Sequence, residues 1–193
     1  MKKLIKIIAV LIWRPIRTFW SNFYWRYVRH AATECPLDDA DLRHGDESPT
    51  KYICRIDKKV MDAFDYKHDG IEELGDTTPP PAEMYRQMKS GHFADDCDGY
   101  HACLYHLAKH ADIECALLTI LSMVNSYGHC VLTYKDENGF YHIHDYLTDY
   151  EGEDLDKLII EHYSDVCGGV MLVFEIEFDK KWRTLNRNPV LRG

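Results

Sequence analysis

The sequence predicts an α+β domain preceded by an N-terminal amphipathic helix. Three observations carry the prediction. A helical run, HACLYHLAKH, follows the polar turn Asp95-Asp96-Cys97-Asp98-Gly99-Tyr100. Further on, HCVLTYKDENGFYHIHDYL has two β-rich segments around Asn138-Gly139, the signal of a hairpin. Val170, Leu172, Phe174, Ile176 and Phe178 then alternate as a closing strand should.

The chain has 193 residues, 46% hydrophobic and 28% charged, enough for one domain and an appendage. Its net charge of −9 is unevenly spread. Before Glu34 there is no acid, while Lys2, Lys3, Lys6, Arg14, Arg17, Arg26 and Arg29 supply seven positive charges. The remaining 16 basic against 32 acidic residues leave about −16 on the rest. A domain so acidic is not expected to bind nucleic acid.

Residues 1–33 form the first unit. Lys6 interrupts the apolar run and no small-residue cleavage site follows, so a signal peptide is not expected. The run before Arg14 is also too short to span a bilayer. At helical period, Leu4, Ile5, Ile8, Leu11, Ile12, Ile16, Phe19, Trp20, Phe23, Tyr24, Tyr27 and Val28 share a face, and Pro15 kinks or divides the helix. A basic helix with aromatic anchors suits a membrane surface or a protein partner, contacted through residues 1–30. Packing on its own domain is the alternative.

Residues 34–50, rich in acids with Pro and Gly, are expected to be a solvated linker, leaving 51–193 as the main domain. KYICRIDKKVMDAF reads as a short helix, then a loop to Pro79-Pro80-Pro81, a stiff extended spacer. Asp65, Asp69, Glu72 and Glu73 in that loop fail the spacing of a calcium-binding EF-hand. PAEMYRQMKS is a second helix, with proline in its first turn.

Asp95 or Asp96 can cap the next helix and place Cys97 in its first turn. The helix dipole there favours a thiolate, whereas the neighbouring acids oppose it, so an imidazolium partner is needed. A merely buried thiol is the competing possibility. CALLTILSMV suits a central strand, and the hairpin after it sets His129 at one strand's start and Asp145 at the other's end. Antiparallel pairing brings those ends together, so His129 can take a proton from Cys97 while donating its other N–H to Asp145. His142 and His144 share a strand face without a third ligand at a telling spacing, so no metal is expected. His101, His106 and His110 read as core-edge or surface residues. EDLDKLIIEHY is a last helix, and the basic end DKKWRTLNRNPVLRG is expected to lie across the surface. Seven cysteines with no close CxxC pair argue against zinc or thioredoxin-type chemistry and favour reduced thiols in a cytoplasmic setting. If the first helix binds lipid, the protein is peripheral on the inner face of the membrane.

Pro81/Glu83, then Asp96-Cys97-Asp98-Gly99-Tyr100, His129-Cys130-Val131-Leu132 and Asp145-Tyr146-Leu147, in that order over residues 79–148, resemble the transglutaminase-like cysteine peptidases, the bacterial branch above all. The resemblance implies a papain-like core, with the cysteine's helix packed on an antiparallel sheet. It implies acyl transfer on protein or peptide amides without a cofactor. Cys97 would be the nucleophile, His129 the base and Asp145 its orienter. The Cys97 backbone N–H would be one oxyanion donor, and Gln87 the nearest polar side chain for the second. The same triad would serve a peptidase or amidase, a transglutaminase or protein deamidase. A silent descendant would be a peptide-binding or structural module.

Overall fold

The computed structural model describes residues 18–67, 79–182 and 184–192, with Ile12 and Ile16 besides. The expected Pro15 kink and the acids Asp69, Glu72 and Glu73 lie outside the described residues. The domain is α+β, with one antiparallel sheet between helical layers.

Among the described residues, three α-helices lie between the N-terminal helix and the sheet. Helix α1 spans Pro49–Ala63, where the Ser48 side chain accepts a hydrogen bond from the Lys51 N–H and Pro49 opens the first turn. Helix α2 is Pro81–Ser90, ended by Gly91 in the left-handed conformation (φ 71°). Helix α3 is Cys97–His110, the predicted nucleophile helix. Two short strands, β1 (Phe64–Tyr66) and β2 (Phe93–Asp95), pair in parallel and lead the chain into α3.

The sheet holds β3 (Cys115–Ser122), β4 (Gly128–Lys135), β5 (Tyr141–Asp145), β6 (Thr148–Gly152), β7 (Met171–Phe178) and β8 (Thr184–Arg192). Their order is β6-β5-β4-β3-β7-β8, each pair antiparallel. The predicted hairpin is β4–β5, with Lys135 opposite Tyr141 and Leu132 opposite His144. Side-chain alternation gives the sheet two apolar faces. Leu117, Cys130, Leu132, Tyr134 and Ile176 pack with α1, α2 and α3. Leu118, Ile120, Val131, Ile143 and Val173 meet helix α4 (Leu155–Tyr163) through Leu158, Ile159 and Tyr163.

Two expectations are corrected and one strand was not foreseen. The basic tail does not merely lie on the surface, because its residues form β8, the edge strand that closes the sheet beside β7. Pro189 is tolerated there, since an edge strand leaves one side of its backbone unpaired. The strand β6 after Asp145 carried too little apolar alternation to be foreseen. Finally, residues 34–50 are not a solvated linker. Asp41 is fully buried, accepts a hydrogen bond from the Tyr85 hydroxyl at 2.7 Å and pairs with Lys59. Nearby, Arg55 binds Glu47 with Nε at 2.8 Å from Oε1, and His106 Nε2 meets the Cys35 carbonyl at 2.8 Å. The acids read as solvated because the sequence does not show which partners return to them.

The N-terminal helix also docks on the domain. Residues 18–28 are helical, closing in a π turn at Tyr24–Val28. Tyr24 and Trp25 enter the main core. The Asn22 amide donates to the Thr184 carbonyl at 2.7 Å and accepts the Thr184 N–H at 3.0 Å. Glu83 ties down the following turn by accepting the Ala32 N–H at 2.7 Å. Packing on its own domain thus accounts for one side of this helix.

Replacing the buried Asp41 with alanine removes the acceptor of the Tyr85 O–H and the Lys59 partner. Urea denaturation of Asp41→Ala is expected to show a loss of about 2–4 kcal/mol.

Candidate active site

Cys97 opens α3, half-buried, just after the Asp96 cap. The Asp96 side chain accepts the Asp98 N–H at 3.1 Å, and Asp95 Oδ1 accepts the Asp96 N–H at 2.8 Å. This places the Asp95 carboxylate against Gly99. A Cβ at position 99 would stand 2.3 Å from Asp95 Cγ, so the turn requires glycine.

His129 lies at the start of β4, and its Nε2 stands 2.8 Å from Asp145 Oδ1. Continued from Leu132 opposite His144, the register puts Asp145 opposite Val131, one diagonal step from His129 on the same face. The other Asp145 oxygen accepts the Tyr163 hydroxyl at 2.9 Å. Burial pushes the Asp145 carboxyl up, but the His129 bond and charge, with Tyr163, hold it below its ordinary value. Asp145 is therefore an anion that fixes the ring, leaving Nδ1 as the nitrogen for a thiol. Around that ring, Tyr127, Tyr146 and Tyr163 have centroids 6.0, 6.0 and 6.3 Å away.

Cys97 and His129 line one cavity of about 360 Å³, together with Asp96, Asp98, Thr119, Ser122 and Tyr127. Both catalytic candidates thus face one open cavity, and Asp145 bonds the imidazole. Gln87 does not join them. It is absent from the cavity lining, and its amide donates to Glu83 Oε1 at 3.0 Å. Glu83 also binds Arg86, so the Pro-Glu helix start serves to tie α2 to the chain after the N-terminal helix.

His101, read from sequence as a core-edge or surface residue, lies at the centre of this site. It is fully buried, its Nδ1 lies 2.7 Å from the Cys97 carbonyl and its Nε2 accepts the Tyr146 N–H at 3.3 Å. That bonding pattern requires a neutral ring with the proton on Nδ1. Burial, then the charge on His129, pushes its pKa down to about 3. His101 therefore connects the nucleophile turn to the residue after Asp145. Tyr146 takes a left-handed φ of 53° there, a strained conformation for a tyrosine. The i, i+4 spacing of Cys97 and His101 was the available signal, but only the packed sheet supplies Tyr146.

His142 and His144 lie behind this site and meet carboxylates. His142 Nδ1 is 2.8 Å from Asp149 Oδ2; His144 nitrogens lie 3.1 Å from Asp57 Oδ1 and 3.5 Å from Asp149 Oδ1. Tyr100 and Tyr134 bond the same two acids, Asp57 and Asp149. Burial opposes a charge on His144, but the two carboxylates prevail and raise its pKa to about 9, while Asp149 falls to about 2. His106, also buried, belongs to the core, and His110 is exposed.

The chain matches no protein-family model and no curated protein.

Two measurements follow from this geometry. His144 holds its proton more tightly folded than unfolded, so its contribution is complete below pH 6.5 and disappears as pH rises through about 9. Stability by urea denaturation should fall between pH 7 and pH 10 by roughly 2–4 kcal/mol from this group, and His144→Asn should flatten that slope. Gly99→Ala forces its methyl onto Asp95 and should cost about 1–3 kcal/mol by the same assay.

Proposed function

We propose that the protein is a thiol-dependent acyl-transfer enzyme with a papain-like core, acting on protein or peptide amides through Cys97, His129 and Asp145. The observation that carries this is the 2.8 Å His129–Asp145 bond behind a ring that shares its cavity with a half-buried cysteine at a helix start.

In this mechanism His129 Nδ1 takes the Cys97 proton, and the sulfur attacks the amide carbonyl carbon. The carbon–sulfur bond forms as the carbonyl oxygen gains the charge, facing the Cys97 backbone N–H at the helix start. His129 then returns the proton to the leaving nitrogen as the carbon–nitrogen bond breaks. Asp145 stabilises the imidazolium throughout without itself taking the proton. The resulting thioester is resolved by water or an amine, again with His129 as base. Its Nε2 bond to Asp145 keeps the ring from rotating away between these steps.

One feature of the cavity favours an amine as acceptor: Asp96 and Asp98 line it beside Cys97. A carboxylate there draws a protonated amine, such as a lysine side chain, to the thioester. Transglutaminase-type transfer is accordingly the second reading. The acids also oppose the thiolate, which makes the His129 charge indispensable to the nucleophile.

Alkylation by iodoacetamide tests the thiol. At pH 7 Cys97 should be modified at least about tenfold faster than the exposed Cys54, and His129→Ala should remove most of that advantage. Equal rates at the two cysteines would exclude an activated nucleophile and leave a silent binding module. Peptide libraries with and without added amine, followed by mass spectrometry, separate hydrolysis from transfer, and Cys97→Ala should abolish both.

A further inference from the structure

The N-terminal helix has two apolar sides, and its own domain uses one. Tyr24 and Trp25 enter the core, and Ser21 is buried with them. Ile12, Ile16, Phe19, Phe23 and Tyr27 stay exposed, from 40% for Phe23 to 70% for Phe19. At helical period Phe19, Phe23 and Tyr27 fall within an arc of about 80°, on the side of the helix opposite Trp25. They form a continuous ridge, with Phe19–Phe23 and Phe23–Tyr27 centroids 6.4 and 5.4 Å apart. Such a ridge is more than the scattered apolar residues of an ordinary surface.

Charge identifies what it meets. The first 33 residues contain seven Lys and Arg and no acid, on a protein whose remainder carries about −16. The same basic segment that presents the ridge would be drawn to an anionic surface, while the acidic body would be held off it. We propose that the Phe19–Tyr27 ridge inserts into the interface of an anionic membrane, with the helix lying in the membrane plane.

The fold adds an orientation. Trp182 lines the crevice under the N-terminal helix with Ser21, Asn22 and Trp25, and its ring meets His106 and His110 at 5.1 and 6.2 Å. The helix therefore docks at the C-terminal end of α3. Cys97 stands at the other end, about 20 Å away at 1.5 Å per residue. Lipid binding through the ridge leaves the Cys97 cavity open to the aqueous side, where a protein or peptide can reach it. The inference about the membrane does not depend on Cys97 being reactive.

Full-length protein is sedimented with vesicles of phosphatidylcholine alone or of equal parts phosphatidylcholine and phosphatidylglycerol. Binding should be at least about tenfold tighter to the anionic vesicles and weaken with salt. Phe19→Ser/Phe23→Ser/Tyr27→Ser should lose it while keeping the wild-type melting curve, because these side chains are exposed. Lys2→Gln/Lys3→Gln/Lys6→Gln, which leaves every ridge residue unsubstituted, should lose affinity for anionic vesicles selectively. Equal affinity of wild type for both vesicle types, or unchanged binding by the serine variant, overturns the proposal. So does an absence of binding accompanied by a dimer in sedimentation velocity that the serine variant dissolves, which would assign the ridge to a second copy of the chain.

Discussion

Helix α3 is buried almost from end to end, and that constraint organises the molecule. From Asp98 to Ala108 every residue is buried, and the run includes Tyr100, His101 and His106. Buried polar groups need partners, because an unmet donor or acceptor costs about 1–3 kcal/mol. Each partner comes from a different part of the chain. Tyr100 bonds Asp57 of α1, His101 holds Tyr146 after β5, and His106 meets Cys35. The apolar residues beside them, Leu104 and Leu107, supply the burial that makes those bonds obligatory.

The candidate site takes its precision from this arrangement. Cys97 sits where α3 emerges, and the same helix holds the Asp145–Tyr146 corner through a neutral His101. The hairpin independently sets His129 beside Asp145. Two rigid elements thus bring the thiol and the imidazole to one cavity, so neither depends on a loop. His101 and His144 sit close in the fold but hold opposite states. The ring nitrogens of the first bond backbone groups and burial keeps it neutral, whereas the second meets two carboxylates and is kept charged.

Residues 18–28 have one side on the domain and one side facing out. One side of their helix was chosen by the core, through Tyr24 and Trp25, and the other remains for whatever lies outside. An amphipathic pattern marks a helix that must bury a face, but it does not say how wide that face is. Trp20, Phe23 and Tyr24 are all large and aromatic, so periodicity alone assigned them to one stripe. Only docking divided the stripe in two.

Much of the domain was legible because local rules are strong there. Asn138-Gly139 announces the β4–β5 hairpin, Pro81 the start of α2 and Asp96 the cap of α3. The pairing of His129 with Asp145 followed from the hairpin's own geometry. Gln87, the expected second oxyanion donor, does not line the Cys97 cavity, because distance along the chain says nothing about direction: its amide turns back one helical turn to Glu83. The buried Asp41, the edge strand β8 and the role of His101 were equally closed to sequence. Each depends on contacts between segments far apart in the chain, which local propensity does not encode. The residues themselves determined where the chain could turn, cap and nucleate its elements. Tertiary packing decided which polar groups would be buried, and so which of them had to meet.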